Sequence, residues 1–226
     1  MKTSKLLMLI LILIILMVMG CAPEPGNKLK KSDYNTDYNK WIAYEIPGIL
    51  SFKGPPSMEL QAGSSKGLVD AMKQGAGIKI DADEIVLQPK GCNDMDLDAL
   101  RKYCRIIVKT EHGPNGTYLG LWDDFTPTHE EMTAYENELR RGIPRETGVT
   151  ILNWYPAKII KINGVDILKV SYLRTATDGK PIVSTSYTIQ NNSMLHAVSV
   201  SYRESEKNLW EHDMGRLINT FKFIEN

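Results

Sequence analysis

A serine between glycines is the first place in this chain where residue type and spacing suggest covalent chemistry. Gly63-Ser64-Ser65-Lys66-Gly67 fits G-x-S-x-G, in which a sharp strand-to-helix turn exposes the central serine. Ser65 would be the nucleophile. Asp123 or Asp124, then His196 or His212, follow in the order that an orienting acid and a general base would take. Such a turn needs a parallel sheet built by several earlier strand–helix units, and too little ordered chain precedes Ser65 to build one. A Gly/Ser loop accounts for the same letters, so serine hydrolysis is the alternative reading. Asp94-Met95-Asp96-Leu97-Asp98 resembles the first half of a calcium loop, but its sixth position is Ala99 and its twelfth Arg105, where glycine and glutamate are needed. Aspartates opening a helix explain it better. His129-Glu130-Glu131 lacks the second histidine of a zinc-hydrolase helix. His196 alternates with valines and reads as a packed or rim residue of a strand. Neither a phosphate-binding loop nor a dinucleotide fingerprint occurs, and the expectation is no enzyme, no metal and no cofactor.

Cysteine chemistry is more telling. Leu6 to Met19 is an uninterrupted apolar run of 14 residues, preceded by Lys2 and Lys5 and followed by Gly20 and Cys21. A bilayer span needs about 20. A charged start, a short apolar stretch and a small residue before the cut make a secretory signal instead. A cysteine at that junction resembles the lipobox of bacterial lipoproteins. The resemblance implies that the signal, residues 1–20, is cut before Cys21, and that its thiol is diacylated. It also implies the cell envelope. Ala22 rather than aspartate follows Cys21, so by the lipoprotein sorting rule the outer membrane is the default in a Gram-negative host.

Removal of the signal leaves 206 of 226 residues, enough for one large domain with a sizeable core. Lysine plus arginine and aspartate plus glutamate each number 27, so the net charge is zero. Nucleic acid, which calls for a basic surface, is excluded as a partner. Cys92 and Cys104 remain. In an exported protein an isolated pair suggests a disulfide. The competing expectation puts Cys104 in the core as a small apolar residue, with Cys92 left in a loop. Two cysteines without a nearby histidine pair do not close a zinc shell. Trp122-Asp123-Asp124-Phe125, two aromatics beside two carboxylates before a helix, forms a candidate recognition patch. The plainer and favoured reading is that Trp122 and Phe125 pin that helix to a sheet.

These residues must be held by a recognisable set of elements. Residues 21–40, rich in proline, asparagine and charge, read as a lipidated tether, with Lys28, Lys30 and Lys31 near the anchor. The globular domain spans 41–226. Residues 41–46 and 49–52 read as strands around Pro47-Gly48, and 57–62 as a third. A helical turn follows at 68–73, then a strand at 84–88, a short helix with Leu97 and Leu100 on its inner face, a strand at 105–110 and another at 118–122. The clearest helix opens at Thr126-Pro127 or at the capping box Thr128…Glu131, shows Met132, Tyr135 and Leu139 on one stripe, and stops at Gly142 and Pro144. Residues 149–203 read as an antiparallel meander turning at Asn163-Gly164, Asp178-Gly179 and Asn191-Asn192. A last helix, 204–219, buries Trp210, Met214, Leu217 and Ile218, with Phe221 just beyond. There is no internal repeat.

This order predicts a single α+β domain, an antiparallel sheet flanked by helices. Three segments carry a resemblance to the PsbP and Mog1 group: Tyr44 to Phe52, Ser186 to Tyr202, and Leu217-Ile218-Asn219-Thr220-Phe221. The resemblance implies an α/β/α sandwich and a binding or accessory role, since members serve as photosystem II subunits and as a Ran-binding factor. The leading expectation is a non-catalytic lipoprotein that holds its domain at the membrane for a protein partner. A small-ligand binder is a further alternative.

Overall fold

The computed structural model describes residues 37–46, 50–61, 78–79, 84–118, 127–176, 178–191 and 193–223. The elements in chain order are β1 (Ile42–Ile46), β2 (Leu50–Gly54), β3 (Met58–Leu60), β4 (Ile78–Lys79), β5 (Glu84–Pro89), α1 (Leu97–Arg101), β6 (Cys104–His112), α2 (His129–Thr147), β7 (Ile151–Ile162), β8 (Val165–Thr175), β9 (Pro181–Asn191), β10 (Met194–Arg203), α3 (Lys207–Ile218) and β11 (Lys222–Phe223). Among the described residues no helix is long and apolar enough to cross a membrane.

Seven strands form the main sheet in the order β3-β5-β6-β10-β9-β8-β7, each pair antiparallel. The meander expected over 149–203 is its larger part. Asn163 and Gly164 take φ of 51° and 87°, the left-handed pair that a type I′ turn requires. The Asn163 amide also donates to the carbonyls of Asn219 (3.1 Å) and Phe221 (2.7 Å), which ties this hairpin tip to the end of α3.

A second sheet was not expected. It runs β11-β2-β1-β4, and β1 pairs with β4 in parallel. With α3 it covers one face of the main sheet, and the principal core lies between them. Phe52 stacks on Tyr44 (5.2 Å between centroids) and on Phe221 (4.7 Å), so the aromatic strip joins the small sheet to the end of α3. Trp210, Met214, Leu217, Ile218 and Phe221 are all buried there, as the helical spacing requires.

The opposite face of the main sheet carries α2 at its β7–β8 end. Tyr135, Leu139 and Ile143 pack on Leu168, Val170, Tyr172 and Leu195. The fold is therefore α+β, an antiparallel main sheet between helical layers. Thr128 and Glu131 cap α2 reciprocally, Thr128 N donating to the Glu131 carboxylate (3.0 Å) and Glu131 N to the Thr128 hydroxyl (3.2 Å). The stop expected at Gly142 and Pro144 does not occur. The helix runs to Thr147 and ends at Gly148, φ 70°. Burial of Gly142 and Ile143 outweighs the hydrogen bond that Pro144 cannot donate. A bulge in β7 between Tyr155 and Lys158 frees the Ala157 amide, and Glu136 of α2 accepts it at 2.6 Å.

Helix α1 corrects another expectation. Leu97 is 66% exposed, and Ala99 is the residue that turns inward. Asp96 caps this helix, its carboxylate accepting from Asp98 N at 2.8 Å and Ala99 N at 3.4 Å. Tyr118 is not part of a strand.

Candidate functional site

Cys21, Ser65, Trp122, Asp123, Asp124 and Phe125 lie outside the described residues, as do the helical turn at 68–73 and the Pro47-Gly48 turn. The two histidines offered as bases differ sharply. His212 is largely exposed beside Asp213, at 3.4 Å. His196 is wholly buried on the inner face of β10, its Nδ1 within 3.0 Å of the Thr110 hydroxyl. Burial, with the nearby His112, pushes its pKa down to about 4, so the ring is neutral and sealed from substrate.

The disulfide weighed between Cys92 and Cys104 is not formed; both are free thiols. The reason is the direction of Cys104. It lies opposite Tyr202 on the inner face of β6, and its thiol meets the Met214 sulfur of α3 at 3.8 Å. Cys92 stays in the turn after β5, where its N–H donates to the Pro89 carbonyl (3.2 Å). Burial raises the pKa of Cys104 well above the usual thiol range, with the Glu206 and Asp213 charges adding to it. Burial and then the Glu59 carboxylate raise that of Cys92. Neither thiol is activated. Among the described residues no group of three or more histidine, cysteine, aspartate or glutamate side chains is arranged to hold a metal.

The chemistry that is assembled lies on the outer face of the main sheet, beyond α2. Register places Leu168, Val170, Tyr172 and Arg174 of β8 on this face, with Ser184, Ser186, Thr188 and Gln190 of β9 beside them and Leu195 to Arg203 at alternate positions of β10. Arg174 ends an otherwise apolar series and is only 7% exposed. Its Nε donates to the Ser184 hydroxyl (3.0 Å), its Nη2 to the Tyr103 hydroxyl (3.2 Å) and its Nη1 to the Thr175 carbonyl (3.4 Å). All three acceptors are neutral, and among the described residues no carboxylate pairs with it. Tyr103 extends the group: its hydroxyl lies 3.3 Å from that of Ser201.

Flanking charges complete the arrangement. Arg203 lies over the Tyr103 ring at 6.0 Å and is neutralised by Asp178 at 3.0 Å. Arg105, opposite Ser201 in register, donates to the Gln61 side-chain oxygen at 2.8 Å, another neutral acceptor. Glu206 accepts from the Tyr103 N–H (3.3 Å) and the Trp210 indole (3.1 Å). Burial raises its pKa, and those two hydrogen bonds resist the rise. Nearer α2 the same face holds polar atoms with no hydrogen-bond partner among the described residues: the Thr188 hydroxyl, both amide atoms of Gln190 and the Tyr135 hydroxyl. Polar burial on this scale is uncommon in a core kept only for packing. The sequence reading missed the group. Its signal was period-two spacing over Leu168, Val170, Tyr172 and Arg174, which turns a cation toward the apolar side.

No family model matches this chain, and no curated protein matches it in sequence. Solved structures do resemble it. A protein from Bacteroides thetaiotaomicron VPI-5482 shares 9% identity over 78% of this chain with a TM-score of 0.44, and this chain spans less than half of it, 46%. The solution structure of the cyanobacterial PsbP of Synechocystis sp. PCC 6803 shares 11% identity at a TM-score of 0.48, covering 84% of this chain and 96% of that one. LpqN, involved in cell envelope biogenesis of Mycobacterium tuberculosis, shares 11% identity at 0.41, covering 81% and 89%. No residue role is carried over from any of the three.

Proposed function

We propose that this chain is a lipid-anchored protein of the bacterial envelope whose α+β domain binds a protein partner and performs no catalysis of its own. Cys21 directly behind the apolar run Leu6–Met19 carries the reading. The run is too short to span and the cysteine stands where a lipobox has its acceptor thiol. Two or three acyl chains hold a protein at a bilayer where one alone binds marginally. Residues 22–36 then act as a spacer that reaches up to about 50 Å at full extension, clear of the headgroups. In a Gram-negative host Ala22 directs the protein to the outer membrane. The accessory role follows the PsbP and Mog1 resemblance of the three segments named above. Inert thiols at Cys92 and Cys104 and a sealed, neutral His196 favour binding over chemistry.

Crosslinking in intact cells, followed by identification of what is captured, tests this. The native chain is expected to capture the same protein reproducibly, and Cys21→Ser, retained as unprocessed precursor, to lose it. Labelling of Ser65 by a fluorophosphonate probe, abolished in Ser65→Ala, would establish the hydrolase alternative instead.

A further inference from the structure

Arg174 is a buried cation with no counter-charge among the described residues. Burial of a guanidinium is costly unless a negative group offsets the lost hydration. The other buried arginine on this face, Arg203, has Asp178 for that purpose. Arg174 has two hydroxyls and a carbonyl. A guanidinium offers five N–H groups; three are used here, and two remain for an incoming acceptor. The nearby hydroxyls are poised to add to them. The Tyr103 hydroxyl accepts from Arg174 and keeps its own proton for Ser201 or for a ligand. Arg105, which donates to the Gln61 amide oxygen and has no carboxylate partner among the described residues, adds a second guanidinium beside the same serine. Tyr103, Arg105 and Ser201 are half-buried, and Arg174 is buried.

We propose that Arg174, with the hydroxyls of Tyr103 and Ser201, forms a seat for an oxyanion, the carboxylate or phosphate of a ligand that enters past Tyr103. The planar guanidinium suits either group, since both present paired oxygens. The site is independent of the lipid anchor, and goes beyond the reading of the chain as a partner-binding domain. A site that holds a charge in readiness for a ligand is destabilised while empty.

The test is calorimetric titration and thermal melting of the full chain in detergent, with inorganic phosphate and with acetate, chloride holding the ionic strength constant. Saturable binding of one or both anions is expected, with a concentration-dependent rise in Tm. Phosphate binding assigns a phosphate-bearing ligand and acetate binding a carboxylate. Arg174→Gln is expected to bind at least tenfold more weakly, and, without anion, to melt at or above the native temperature. A merely structural arginine would give a lower melting point and unaltered anion response. Tyr103→Phe combined with Ser201→Ala keeps the cation and removes two donors, and is expected to bind severalfold more weakly. Failure of the native chain to bind either anion would overturn the proposal, and so would unchanged affinity in Arg174→Gln. Should Arg174→Gln fail to fold, unchanged affinity in the Tyr103→Phe, Ser201→Ala chain would overturn it. Partner crosslinking is a separate readout, so loss of one reading leaves the other standing.

Discussion

Trp210→Ala is expected to remove a large share of the domain's stability. Trp210 is fully buried and stands first among the large side chains of the core. It joins α3 to both sheets within one apolar cluster. Truncating a buried tryptophan costs about 3–5 kcal/mol, against a total of about 5–15 kcal/mol for a typical domain. The substitution also strips Glu206 of the indole hydrogen bond that helps it tolerate burial. Urea unfolding followed by circular dichroism measures the loss. Trp210→Phe, which keeps most of the volume, is expected to lose less. An unfolding free energy for the alanine chain within about 1 kcal/mol of native would mean that the principal core is not where this packing puts it.

The second large effect is acid lability through His196. Its pKa falls from the ordinary 6.5 to about 4 in the folded chain, chiefly through burial and then through His112. A depressed value means that the unfolded chain binds the proton first. The stability that the neutral ring confers is therefore complete above about pH 6.5 and is lost progressively as the pH falls toward 4. The full loss is about 3 kcal/mol, since one pKa unit corresponds to about 1.4 kcal/mol. Glu206 works in the opposite sense. Its raised value favours the folded state at low pH, and that contribution is lost as the pH rises through its folded value. Urea midpoints measured between pH 7 and pH 4 in native and His196→Gln chains separate the two. The glutamine retains a side-chain partner for the Thr110 hydroxyl and does not titrate. Its profile is expected to be flatter than the native one across this window; equal slopes would refute the assignment.

Elements with strong local signals were legible from sequence. Asn163-Gly164 declares its turn because two successive left-handed residues are needed there, and Thr128 with Glu131 declares a helix start because both groups of the box are present. Buried positions of α3 followed from a 3.6-residue spacing. Features set by tertiary contact were not legible. The second sheet depends on β11 returning to β2 from the end of the chain and on β4 pairing with β1. The extension of α2 past Pro144 depends on burial of Ile143 against the main sheet. Leu97 turns outward because a helix of five residues offers only one inward position, and Ala99 takes it. The direction of the Cys104 side chain depended on strand phase, and the presence of an isolated cysteine pair carries no information about phase. Arg174 went unnoticed for a related reason. Motif searches look for neighbours in sequence, whereas Tyr103, Arg174, Ser184 and Ser201 come from four separate segments and meet only when β6, β8, β9 and β10 align.

The central claim is a domain held at the membrane by a lipid on Cys21, and the mass of the mature N-terminal peptide tests it most directly. The chain is purified from the membrane fraction of its native host and digested, and its N-terminal fragment is weighed. The expected fragment begins at Cys21 and carries the mass of two or three acyl chains. A fragment that begins elsewhere, or an unmodified cysteine at that position, would contradict the account.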